Sequence, residues 1–162
     1  MVKKIFLIAL FLIFAQNFLF AAAPALENKS GESAIDFTLL DLNSKAVSLS
    51  DFKGKPRILF FWTTWCPYCR GELKQLNALQ AELAKSNTEV LAINIEEPAE
   101  KVRRFMENNP FYYRVLLDTD AAVSADYAVM GVPTYVFIDK EEHIAATSHY
   151  FSPSKYKNIV SQ

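Results

Sequence analysis

The sequence is short of the residues on which metal and disulfide scaffolds are built. It has two cysteines and two histidines in 162 residues. Two cysteines exclude a disulfide framework, in which several bridges replace a large core. They exclude a four-cysteine zinc site too, and His143 and His149 stand far downstream without ligand-like spacing. Excess positive charge is also lacking. The formal net charge is −1, so the footprint of a nucleic-acid binder is absent. There are no internal repeats and no low-complexity segments. What the chain does have is apolar residues, 51% of the total, enough for a packed core and too many for a disordered chain. The length predicts one domain.

Both cysteines fall in one stretch, Phe60-Phe61-Trp62-Thr63-Thr64-Trp65-Cys66-Pro67-Tyr68-Cys69-Arg70-Gly71-Glu72. An apolar strand runs into a Cys-x-x-Cys turn, and a helix begins there. The spacing places Cys66 at the exposed start of the helix and Cys69 one turn further in. A thiolate at a helix N-terminus is stabilised by unpaired backbone N–H groups and the positive end of the helix dipole. Such thiols have pKa values lowered from about 8.5 to roughly 3.5–7.5. Cys66 then acts as a nucleophile near neutral pH, and Cys69 is placed to resolve the mixed disulfide that forms. Thiol–disulfide exchange is the leading reading of the motif. Haem attachment needs His directly after the second cysteine, where Arg70 stands. A peroxidatic cysteine of the peroxiredoxin type has Pro seven residues and Thr or Ser three residues before it. Thr63 fits that pattern and Leu59 does not.

The first 25 residues read as a secretory signal peptide or an uncleaved N-terminal membrane anchor. Lys3 and Lys4 precede an apolar run from Ile5 to Ala15, and Gln16 and Asn17 interrupt it before Phe18 to Ala23. Ile5 to Ala23 only just reaches the roughly 20 residues that a membrane span needs. Ala21 and Ala23 suit a cleavage site, with Pro24 a hindrance and Ala23-Pro24-Ala25 a second option. The lysines hold the N-terminus inside in either case. The mildly acidic remainder, 26–162, is then exported to where disulfides form and persist.

After a polar connector from Leu26 to Ser33, strands are predicted at Ile35–Leu39 and Ala46–Leu49, joined by a turn at Asp41–Lys45. A short helical turn or loop follows at Ser50–Pro56. Arg57–Thr63 is a strand buried on both faces. A helix over about Pro67–Lys85 carries the stripe Leu73, Leu76, Leu79 and Leu83 into the core. Val90–Ile95 is a second buried strand. A helix begins at Pro98, turns Val102, Phe105 and Met106 inward, and stops at Asn108-Asn109-Pro110. Val115–Leu117 is extended, and a short helix over Asp118–Ala128 is capped by Asp118 or Asp120. A strand at Thr134–Ile138, a turn at Asp139–His143, a returning strand at Ile144–Tyr150 and a helix from Pro153 complete the chain. Alternating strands and helices predict an α/β domain with helices on both faces of the sheet.

These residues resemble exported thioredoxin-like proteins of the TlpA/ResA type, over nearly all of Ala34 to Tyr150. The matching pieces are Asp36-Phe37-Thr38-Leu39, Leu49-Ser50-Asp51-Phe52-Lys53-Gly54-Lys55, Phe61 through Arg70, Gly131-Val132-Pro133-Thr134 and Phe137-Ile138-Asp139. The resemblance implies a thioredoxin-like fold, a central mixed sheet with helices on both faces and an added N-terminal β-hairpin. It implies a redox disulfide Cys66–Cys69 and a cis peptide before Pro133, facing the cysteines. Pro133 has no N–H to donate, so pairing ends there and the backbone of Val132 is free for an extended substrate segment. Glu72, one helical turn after Cys69, takes the place of an acid thought to assist proton transfer at the resolving cysteine. Cytosolic thioredoxins use a strand acid six residues before the first cysteine, and Phe60 holds that place here. Trp65 is expected to pack beside Cys66 and shield it, or to join the core. Tyr68 and Arg70 are expected at the surface, tuning the pair. The implied partners are disulfide-bearing protein substrates, with apocytochrome c as one, and a membrane thiol–disulfide electron donor. No metal and no cofactor is implied.

The chain departs from the pattern in three places. Lys74 stands where Pro is frequent, the hairpin Lys140-Glu141-Glu142-His143 lacks the usual Gly, and Pro67-Tyr68 between the cysteines is glutaredoxin-like. The expected activity is an exported reductase of protein disulfides. An exported oxidase or isomerase with the same site is the alternative, and a binding module whose disulfide only switches its conformation is a third.

Overall fold

The continuous apolar runs form the middle of a seven-stranded mixed sheet in the computed structural model, which describes residues 31–161. The segment read as a signal peptide or anchor, 1–25, lies outside the described residues. The strands are β1 (Thr38–Asp41), β2 (Ala46–Ser48), β3 (Arg57–Trp62), β4 (Glu89–Ile95), β5 (Arg114–Asp118), β6 (Thr134–Ile138) and β7 (Ile144–Ser148). Their spatial order is β2-β1-β5-β4-β3-β6-β7. Strands β3, β4 and β5 are parallel, while β6 pairs antiparallel with β3 and with β7. The hairpin β1–β2 adds to the far edge through β1 and β5, antiparallel. This is the expected mixed sheet with its added N-terminal hairpin.

The helices among the described residues are α1 (Pro67–Ala78), α2 (Gln80–Lys85), α3 (Ala99–Asn108), α4 (Ala122–Asp126) and α5 (Pro153–Val160). They cover both faces, because alternate residues of a strand point to opposite sides. Ile58, Phe60 and Trp62 of β3 pack with Leu73, Leu76, Leu83, Val102 and Ile159. Leu59 and Phe61 pack with Phe37, Val47, Val123 and Tyr127 on the other face. Every residue of β3 is buried, as its unbroken apolar run requires.

Several elements differ from the sequence expectation. The first strand begins at Thr38, later than Ile35, because the Asp36 carboxylate accepts from the N–H groups of Phe37 and Ser50 and holds that segment out of the ladder. The predicted long helix is two helices. Leu79 sits at φ −90° and ψ 1°, and its N–H is shared between the carbonyls of Gln75 and Leu76, which closes α1. Leu73, Leu76 and Leu83 are nevertheless buried, and Leu79 is partly buried. Pro98 precedes α3 as its cap residue. Helix α4 is shorter than predicted. Asp118 accepts from the N–H groups of Val123 and Ser124, and Asp120 from that of Ala122. Both acids therefore cap it. The returning strand stops at Ser148, two residues early. The end of the polar connector is ordered against the sheet: Gly31 donates to the Ile144 carbonyl and Ala34 to that of Glu142.

The hairpin without glycine has a specific answer. Glu142 adopts the left-handed φ of 75° that glycine usually takes. Its carboxylate accepts two hydrogen bonds from Arg57, at 2.8 and 2.7 Å, and Arg57 is fully buried. The side chain that makes the backbone unfavourable thus also neutralises the one cation of β3's buried end.

Candidate active site

Strand β3 ends at Trp62, and the turn Thr63–Trp65 carries the chain to Cys66, the N-cap of α1. Pro67 takes the first helical position, where its missing N–H costs nothing. Cys66 and Cys69 form a disulfide, with Cα atoms 5.3 Å apart. The Cys69 N–H donates to Cys66 Sγ at 3.1 Å. That N–H is one of the unpaired donors of the first helical turn, so it is positioned to stabilise a thiolate on Cys66 in the reduced protein. Cys66 is more enclosed than expected, at 3% exposure, and Cys69 is fully buried. The expectation of an openly exposed Cys66 is corrected by the segment opposite it. There the Val132–Pro133 peptide is cis, and the Val132 carbonyl oxygen lies 3.8 Å from Cys66 Sγ.

The Val132 segment is itself held in place. Thr134 Oγ1 donates to the Gly131 carbonyl at 2.7 Å. His149 Nδ1 lies 3.0 Å from the Pro133 carbonyl and 3.2 Å from Thr134 Oγ1. The carbonyl can only accept, so Nδ1 carries the proton. Sequence reasoning had considered His149 only as a metal ligand and missed this role.

Trp65 does not enter the core. It is 64% exposed, and Tyr68 and Met130 are each 80% exposed. Thr64 and Cys66, on either side of Trp65, are buried, so the turn directs the indole outward. Trp65, Met130 and Val132 border a groove of about 490 Å³ beside the cysteine pair, with Thr63, Ile95 and Val129 among its other walls. Tyr68 and Arg70 are at the surface as expected. Arg70 does more than decorate it: its guanidinium donates to the Thr64 carbonyl at 3.1 Å and lies over the Phe105 ring.

Glu72 lies one turn beyond Cys69 on the same face of α1. Its Oε2 accepts from the Tyr135 hydroxyl at 2.9 Å and from the Phe151 N–H at 3.0 Å. No hydrogen bond from the described residues occupies Oε1. Tyr135 is fully buried, stacks on Phe60 and is its cross-strand neighbour in β6. The helix acid therefore reaches the neighbourhood of the strand position that Phe60 occupies. Burial, and then the Glu72 carboxylate, push the Tyr135 hydroxyl far above its usual range, so it remains a donor at any working pH. Neither Tyr135 nor Phe151 was legible as a partner of Glu72 in the sequence.

A thioredoxin-like fold with a Cys-x-x-Cys disulfide at a helix N-terminus, faced by a cis-proline segment, defines the class: a thioredoxin-like domain with a cysteine pair at its helix start. The chain belongs to the AhpC/TSA family, whose model matches residues 30–147. It is 34% identical over 125 residues to the thiol-disulfide oxidoreductase ResA of Bacillus subtilis, covering 77% of this chain and 69% of that one. It is 36% identical over 110 residues to the ResA of Geobacillus thermodenitrificans, covering 68% and 63%. The chain thus spans 63–66% of the length of the first curated relatives it matches. Among solved structures, it is similar to the thioredoxin domain of a thiol-disulfide oxidoreductase from Bacteroides vulgatus. There the TM-score is 0.70 and the identity 26%, over 82% of this chain and 95% of that one. A thiol:disulfide interchange protein from Bacteroides sp. gives a TM-score of 0.69 at 26% identity, over 82% and 88%.

Proposed function

We propose that this protein is an exported reductase of protein disulfides. The observation that carries the chemistry is the placement of Cys66 Sγ between the Cys69 N–H and the Val132 carbonyl. In the reduced protein the Cys66 thiolate attacks one sulfur of a substrate disulfide. A mixed disulfide forms, and the other substrate sulfur leaves as a thiolate. Cys69 then gives its proton to Glu72 and attacks Cys66 Sγ. The Cys66–Cys69 bond forms, the mixed disulfide breaks, and the second substrate sulfur leaves. Two electrons have passed to the substrate. The backbone of Val132 beside Pro133 pairs with the extended substrate segment, and Trp65 offers an apolar rim to its side chains.

The direction rests on Glu72 and on the likeness to ResA. A negative charge one turn from Cys69 opposes formation of a second thiolate, and so disfavours the stable reduced pair that makes a strong oxidant. An exported compartment oxidises thiols by default, so a membrane thiol–disulfide donor must restore the dithiol. Apocytochrome c is one substrate that such a reductase would serve. The test is thiol trapping from intact cells, followed by the reduction potential of the purified protein. A mainly reduced pool with a potential near the thioredoxin value, about −270 mV, is expected. A wholly oxidised pool with a potential near about −120 mV would instead establish the oxidase.

A further inference from the structure

We propose that Glu97 is the positioning residue for Cys66, holding through Thr64 the turn that presents the attacking sulfur; the proposal rests on the thiol–disulfide reading of the site. Glu97 follows the end of β4, and the residue is 4% exposed. Its Oε2 accepts from the Thr64 N–H at 2.6 Å and from Asn94 Nδ2 at 2.8 Å. Its Oε1 accepts from the Thr64 hydroxyl at 2.7 Å and pairs with Lys101 Nζ at 2.7 Å. The remaining polar group of Thr64, its carbonyl, accepts from Arg70. All three polar groups of Thr64 are thereby fixed, two by a residue after β4 and one by the first turn of α1.

A carboxylate whose work is to hold a strand end has no need to take both donors of one residue in another loop. Thr64 is that residue, and Cys66 lies two positions on, its N–H reaching back to the Thr63 carbonyl at 3.4 Å. Asn94 Nδ2 also approaches the Trp62 carbonyl, which ties the same carboxylate to the end of β3. Burial opposes the charge on Glu97. The Lys101 ammonium and the hydrogen bonds from Thr64 and Asn94 outweigh it and hold the carboxyl below its ordinary range. Glu97 is therefore a fixed, ionised acceptor at neutral pH. It sets where the turn from Thr63 to Trp65 stands against the helix, and hence where Cys66 Sγ stands against Cys69.

The consequence is a bias on the redox equilibrium. When the dithiol equilibrates with oxidised dithiothreitol, the two thiols give up two electrons and two protons. The Sγ–Sγ bond forms, the dithiothreitol S–S bond breaks, and its two sulfurs take the electrons and protons. A turn held in the bonding geometry favours the protein disulfide, and a loosened turn favours the dithiol.

The variants are E97Q, T64V and T64S in the full chain. The amide introduced by E97Q has one acceptor oxygen, so its nitrogen faces either Lys101 or the paired donors of Thr64 and Asn94. T64V keeps the backbone N–H and removes the hydroxyl, while T64S keeps both donors. E97Q and T64V are expected to weaken the disulfide about tenfold against dithiothreitol. That is a potential about 30 mV less negative for a two-electron couple. They are also expected to lower the melting temperature of the oxidised form more than that of the reduced form, as linkage requires. T64S is expected to stay within about twofold of the unaltered protein, since both donors remain. A residue that only stabilised the fold would lower both melting temperatures equally and leave the potential unmoved. That result in E97Q and T64V overturns the proposal. Insulin reduction by the unaltered protein is measured in parallel. Its absence would overturn the oxidoreductase reading alone, because the potential titration needs no protein substrate.

Discussion

Glu142 sets two physical terms against each other that substitution can separate. Its φ of 75° is unfavourable for any residue with a Cβ, by roughly 1–2 kcal/mol. Its carboxylate is the counter-ion of Arg57, a fully buried guanidinium. Removing the carboxylate leaves Arg57 with the Asp139 carbonyl at 3.2 Å and no charge partner. Breaking a buried pair costs about 3–5 kcal/mol, and the Glu142 side chain is 33% exposed, so the lower end, about 3 kcal/mol, applies to E142A. E142G removes the same pair and relieves the backbone, so it is expected to cost about 2 kcal/mol. In a domain of this size 3 kcal/mol lowers the melting temperature by about 10 °C. Urea unfolding of the oxidised protein measures both variants, with midpoints compared at an unchanged slope. E142G at or above the stability of the unaltered protein would refute the reasoning, because the ion pair would then contribute no more than the roughly 1–2 kcal/mol of backbone relief. The pH dependence gives a second check. Burial opposes ionisation of Glu142, but the Arg57 hydrogen bonds and charge, with the Gly54 N–H, outweigh it and lower its carboxyl below the ordinary 4.5. A lowered carboxyl stabilises above the unfolded value and loses that contribution as the pH falls through the folded one. The gap between E142A and the unaltered protein is therefore expected to close below about pH 4.5.

Three further outcomes follow from the site. C66S is expected to abolish exchange, and C69S to accumulate mixed disulfides visible on non-reducing gels; accumulation in C66S instead would exchange the roles of the two cysteines. E72Q is expected to slow resolution of the mixed disulfide about 100-fold at neutral pH, the lower end for loss of a general base. Y135F removes one of the two donors to Oε2 and is expected to move the pH dependence of that step without changing the first attack. An unchanged profile in both variants, read by stopped-flow with a fluorescent disulfide peptide, would remove Glu72 from the proton transfer.

How much of this was legible without coordinates depended on whether the deciding interaction was local. The buried strands, the start of α1 at Pro67 and the place of the cysteines follow from apolar runs, a proline without an N–H and the Cys-x-x-Cys spacing, all within a few residues of one another. The break at Leu79 was not legible, because both halves carry one continuous apolar stripe and the propensities on either side favour helix. The alternative that put Trp65 in the core fails for a related reason. The residue's size favours burial, but its direction is fixed by the buried residues on either side.

The long-range partners lay beyond the sequence altogether. Glu97 reaches Thr64 across 33 positions, Glu72 reaches Tyr135 across 63, and Glu142 reaches Arg57 across 85. Each contact exists only because the parallel order of β3 and β4, and the antiparallel return of β6 and β7, bring strand ends together. The sequence by itself determined the candidate reacting groups: a thiol at a helix start, a second thiol one turn on, and an acid one turn beyond. Only the tertiary structure decided which groups hold those atoms, because a hydrogen bond depends on distance in space and the chain's order says nothing about it until the sheet has formed.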